Sequence, residues 1–97
     1  MFMMTSEPSD SPRALIRDEL AANIRAARAR KRLQQSDVVA GMHNLGFSEW
    51  HRQTVSRVEH GERRIQADEV VALAAVLGTS AAALMSVSRL SEKTGTA

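Results

Sequence analysis

Gln53, Ser56, Arg57 and His60 fall on one side of a helix when residues 51–60 are placed at intervals of about 100°, and His51, Thr54, Val55 and Val58 fall on the other. Arg52 flanks the polar side near the helix start. The polar set has a definite chemistry. An arginine can donate two parallel hydrogen bonds to guanine O6 and N7, and a glutamine can pair in the same bidentate way with adenine N6 and N7, each worth about 1–3 kcal/mol of discrimination between bases. Arg52, Gln53, Ser56 and Arg57 are therefore the candidates for reading base edges in the major groove of a duplex. A merely solvated helix face is the plain alternative, and it is a closer contest for Arg52, because a helix start also lies beside phosphates. Arg63 and Arg64 follow the same helix and are placed to grip a phosphate backbone, adding salt-dependent affinity without sequence information.

Other chemistries find little support. The chain has no cysteine, which excludes disulfides, thiolate zinc sites and a cysteine nucleophile. It has no Gly-x4-Gly-Lys loop, no Gly-x-Ser-x-Gly elbow and no acidic pair in a catalytic context, so no enzymatic activity is expected. His43, His51 and His60 are too far apart in sequence to align two imidazoles on one helix face, so neither a metal nor a cofactor is expected. They read as loop, packing and groove-side residues respectively. The Met1-Phe2-Met3-Met4 run is too short for a signal-peptide core, and no segment approaches the roughly 18 apolar residues of a membrane span, so the expected setting is the cytoplasm, with no membrane partner. Net charge is only +2, but Arg25, Arg28, Arg30, Lys31 and Arg32 lie close together and no acid occurs between Glu19 and Asp37. Such a run attracts polyanions even when the net value is small.

The elements that must position these residues all show helical spacing; no stretch alternates as a strand would. The 97 residues allow one domain, read as 11–85, with mobile tails at 1–10 and 86–97, the latter partly helical. The first helix starts near Ser11-Pro12 and runs to about Lys31 with Ile16, Leu20, Ile24 and Ala27 as its inner stripe. A second begins near Gln35 and carries Val38, Val39, Met42 and Leu45 to a stop at Gly46. A third, capped by Ser48 with Glu49 in its first turn, covers 49–60 and ends at Gly61. A fourth opens with Asp68 and Glu69, buries Val70, Leu73, Ala74 and Leu77, and stops at Gly78; Ser80 caps a short fifth with Ala83, Leu84 and Met85. Trp50 reads as a packing residue. The expected fold is all-α, a compact five-helix domain, and two short helices joined by a glycine-containing link are the geometry that presents one helix to a major groove.

Three segments resemble the Cro/repressor-like (XRE) helix-turn-helix family: Leu33-Gln34-Gln35-Ser36-Asp37-Val38-Val39-Ala40, Gln53-Thr54-Val55-Ser56-Arg57-Val58-Glu59-His60-Gly61-Glu62-Arg63-Arg64, and Val70-Val71-Ala72-Leu73-Ala74-Ala75-Val76-Leu77-Gly78. The likeness covers about residues 20–85. It implies a lambda-repressor-like DNA-binding domain and a transcriptional regulator, a repressor by preference, that reads double-stranded DNA with its third helix. It also implies phosphate contacts from Gln35, Thr54, His60, Arg63 and Arg64, and an internal ion pair between Arg28 and Glu59. The chain departs from the common pattern in a longer link between Gly46 and Thr54, where Trp50, Arg52, Thr54 and Val55 resemble an actinobacterial-looking subgroup. Gln34 replaces a Ser/Thr cap, Val39 an alanine, and Arg32 a frequent glycine. A homodimer on a palindromic operator is the expected assembly, with Leu84, Met85, Val87 and Leu90, or Leu15 and Phe2, as apolar contacts the minimal core does not need. The rival reading is an antitoxin or protein-interaction module of the same fold, whose partner would be another protein.

Overall fold

A computed structural model describes residues 11–88. Five helices follow one another: α1 (Pro12–Arg30), α2 (Gln35–Asn44), α3 (Arg52–Glu59), α4 (Ala67–Leu77) and α5 (Ala81–Leu84); there is no strand among the described residues. No helix among them is long and apolar enough to cross a membrane. Phe2 and Leu90, with the rest of residues 1–10 and 89–97, lie outside the described residues.

Local chemistry sets the helix ends. The Ser11 hydroxyl accepts the Ala14 N–H at 3.1 Å with Pro12 in the first turn, and the Ser80 hydroxyl accepts the Ala83 N–H at 3.0 Å. Gln34 provides no hydroxyl, and instead the Asp37 carboxylate reaches back to the Gln34 N–H at 2.7 Å. At their C-terminal ends α1, α2, α3 and α4 all close with a left-handed residue whose N–H, and that of the next residue, satisfy carbonyls of the last turn. Gly46, Gly61 and Gly78 supply that conformation for the last three; for α1 it is Arg32, at φ 56°. An L-residue held there costs about 1–2 kcal/mol that glycine avoids.

The core joins all five elements: Ile24 and Ala27 of α1, Val38 and Met42 of α2, Trp50 with Val55 and Val58 around α3, Val70, Leu73 and Leu77 of α4, and Leu84 of α5. Helix α3 packs on α1 and α2, α4 on α2 and α5, and α5 on α1. Gly41 lets α2 and α4 approach, since a Cβ there would sit 2.8 Å from both γ-methyls of Val76. Asn23 Nδ2 donates to the Leu84 and Ser86 carbonyls, both at 2.9 Å, and seats α5 against α1.

Two expectations need correction. Helix α1 buries Ala14, Leu15, Ala21, Ile24 and Ala27, while Ile16 is 41% exposed. The apolar face is rotated because alanines occupy its tightly packed positions, and Leu15 is consequently core rather than surplus surface. Likewise, α3 starts at Arg52 and not at 49. Trp50 is 1% exposed, its N–H bonds the Phe47 carbonyl at 3.2 Å and its carbonyl accepts from His43 Nε2 at 2.6 Å, so residues 47–50 form a turn drawn onto the core.

Candidate nucleic-acid interface

Helix α3 has only eight residues, and its sides differ sharply. Thr54, Val55, Val58 and Glu59 are buried, whereas Arg52, Gln53 and Arg57 are exposed and Ser56 lies half-buried at the border. The side chains of Arg52, Gln53 and Arg57 make no hydrogen bond or ion pair with any described residue. Their hydrogen-bonding groups are left to solvent or to a ligand. His60, just past the helix, is exposed as well, with Nδ1 donating to the Ser56 carbonyl at 2.7 Å.

Two buried carboxylates fix the direction in which this face points. The first is Glu59, 2% exposed, which accepts from Arg28 Nε at 2.6 Å, Arg28 Nη2 at 3.0 Å and Gln35 Nε2 at 3.2 Å. Arg28 also donates to the Leu33 carbonyl at 2.9 Å, and Arg25 donates to the Glu59 carbonyl. The end of α3 is thus tied to α1, to the α1–α2 turn and to the start of α2. Hydrogen bonding to Glu59 raises the pKa of Arg28 despite partial burial, with no practical effect on a guanidinium that is always charged.

The second carboxylate is Glu69, from the first turn of α4. It accepts from Arg63 Nη1 at 3.1 Å and Nη2 at 3.0 Å, from Trp50 Nε1 at 3.2 Å and from the Gln66 N–H at 2.9 Å. Trp50 precedes α3 and Arg63 follows it, so one side chain of α4 holds both flanks of the helix. The Arg63 guanidinium also lies 5.1 Å from the Trp50 ring centroid, within cation–π range. Burial pushes the Glu69 carboxyl up, but the hydrogen bonds from Arg63, the Gln66 N–H and Trp50 outweigh it and hold its pKa below the usual value.

These contacts engage several of the expected phosphate ligands within the fold. Arg63 is occupied by Glu69 and Trp50, because a buried carboxylate needs a cation more than an exposed loop needs a phosphate grip. Thr54 is buried, and its hydroxyl accepts the His51 N–H at 3.3 Å, so it caps α3 from inside instead of facing outward. His51 is an exposed N-cap and not a packing residue, while His43 belongs to the last turn of α2. Gln35 is half-buried with one amide hydrogen committed to Glu59. Arg64 remains exposed with no partner for its guanidinium among the described residues. No group of three His, Cys, Asp or Glu side chains among the described residues is arranged to hold a metal ion. Sequence reading missed Glu69 as a supporting residue; it registered only as an acidic helix start, which is the one local signal it gives.

A family model described as a helix-turn-helix domain matches residues 19–87, from the middle of α1 to just beyond α5. No curated protein and no solved structure matches the chain.

Proposed function

The chain belongs to the helix-turn-helix domain family, and from that premise we propose that it is a sequence-specific regulator of transcription, a repressor of the Cro/repressor-like kind, which lays α3 in the major groove of duplex DNA. The observation that carries this reading is the Arg52, Gln53 and Arg57 face, without a partner among the described residues, of a helix whose opposite face and both flanks are locked to the core. A rigid helix loses little freedom on docking, and each bidentate pair then counts almost fully toward discrimination. Arg52, Gln53 and Arg57 read base edges, with Ser56 at the margin. Arg64, His60 and the remaining amide hydrogen of Gln35 are the phosphate contacts, and no cofactor takes part.

One such helix cannot distinguish its site from the roughly 10⁶ or more competitors in a genome, so the protein works as a homodimer on a palindromic operator with half-sites about one helical turn apart. Ile16 at 41% and Met85 at 53% exposure, with half-buried Val87, line one apolar surface open to a second copy, while the exposed Leu45 and Val71 lie outside it; Leu84 is buried and unavailable. A dimer seated on its operator represses by occupying the DNA that polymerase needs.

Arg57→Ala is expected to cost about 1–3 kcal/mol of discrimination at a single position, a G·C pair, while leaving the fold intact because nothing among the described residues leans on this side chain. Fluorescence anisotropy against a bound duplex and its single-pair variants reads this directly. An equal loss on every sequence would make Arg57 a phosphate contact and remove it from the base-reading set.

A further inference from the structure

Among the cations between Arg25 and Arg32, three are consumed by the fold. Arg25 donates to the Glu59 carbonyl, Arg28 to the Glu59 carboxylate, and Lys31 Nζ to the Val76 carbonyl at 3.2 Å. Arg30 and Arg32 are exposed and make no hydrogen bond or ion pair with any described residue. Arg30 ends α1, and Arg32 belongs to the turn that follows. Arg28 faces α3, and Arg30 is about 200° further round α1, where it joins Lys31, Gly78 and Thr79 beside the end of α4. Arg32 lies in the turn that leads into α2. The carbonyl of the next residue, Leu33, is held by Arg28, and Gln35 is bonded to Glu59 at the end of α3. The turn that carries Arg32 therefore lies beside the end of α3.

Arg32 is also the only non-glycine residue with positive φ among the described residues, in a position that Gly46, Gly61 and Gly78 fill at the other helix ends. Glycine would close that turn without strain. What glycine would lack is the charge. We propose that Arg32 is a DNA-backbone contact that binds a phosphate beside the start of α2, a role that rests on the reading of α3 as the groove-bound helix. Strained backbone in the turn beside the end of α3, carrying an exposed side chain that has no partner among the described residues, fits a residue whose role is to hold a ligand.

Salt-titrated anisotropy of the full chain, with a bound duplex and a scrambled duplex of equal length, tests this with Arg32→Gly, Arg32→Lys and Arg30→Ala. Arg32→Gly should melt no lower than the unaltered protein yet bind both duplexes about 5-fold more weakly near 0.15 M salt. The slope of log affinity against log salt should fall by about 0.9, as expected when one phosphate is no longer neutralised by the protein. Arg32→Lys should keep the slope, and so should Arg30→Ala. An unchanged slope for Arg32→Gly, or an equal drop for Arg30→Ala, would overturn the assignment while leaving the role of α3 standing. Failure of the unaltered chain to bind either duplex would overturn both.

Discussion

Replacing Arg28 with methionine should lower the unfolding free energy by about 3–5 kcal/mol, a large share of the roughly 5–15 kcal/mol that holds a domain together. The cost comes from the partner left behind. Glu59 is 2% exposed, and without Arg28 its carboxylate keeps only the Gln35 amide at 3.2 Å. Glu59→Leu should cost less, about 1–3 kcal/mol, because the Arg28 side chain retains 24% exposure and its bond to the Leu33 carbonyl, so water can solvate it. The double replacement should recover most of the loss, since an apolar pair of similar volume needs no compensation for burial. Urea unfolding followed by the fluorescence of Trp50, the single tryptophan, measures all four proteins. Equal costs for the two single changes, or a double as unstable as their sum, would contradict this account of the pair.

Trp50→Ala is expected to be about as damaging, at about 3–5 kcal/mol. It removes the largest of the fully buried side chains, one donor to Glu69 and the ring beneath Arg63. The Glu69 cluster also has a pH signature. Its pKa is depressed in the folded protein, so it stabilises the fold fully above the ordinary carboxylate pKa, and that contribution is lost as pH falls through the lower folded value. Arg63→Met leaves burial opposed only by the Gln66 N–H and Trp50 hydrogen bonds, so the same carboxyl moves upward from its value in the unaltered protein. The stability gap between the unaltered protein and Arg63→Met should therefore be widest near neutrality and narrow as pH drops below about 5. A gap that stays constant from pH 7 to pH 3 would show that Arg63 contributes packing and not charge.

Features encoded within a few residues were legible from sequence. The stops at Gly46, Gly61 and Gly78 and the cap at Ser80 depend on one turn of backbone, and the structure places each where local chemistry put it. The errors lie where distant residues decide. Ser48-Glu49 has the look of a capped helix start, but burial of Trp50 pulls residues 47–50 into a turn and the cap of α3 comes from Thr54 inside the helix. The stripe assigned to α1 followed the larger apolar residues, whereas tight helix packing selects alanines such as Ala14 and Ala21 and leaves Ile16 outward. Arg63 reads as a free loop cation because its partners, Trp50 and Glu69, lie in other elements. The Arg28–Glu59 contact spans 31 positions, beyond the reach of helical spacing, and only the family resemblance pointed to it.

The most direct measurement is selection of duplexes from a randomised pool by the full chain, with the recovered sequences aligned and the protein-to-duplex ratio determined by sedimentation. If α3 is a groove-reading helix, the recovered duplexes share one palindromic motif with half-sites about 10 base pairs apart, each complex holds two protomers, and Arg57→Ala relaxes the motif at one base pair in each half. A recovered pool indistinguishable from the starting one would contradict the account and leave α3 as the surface of a protein-binding module.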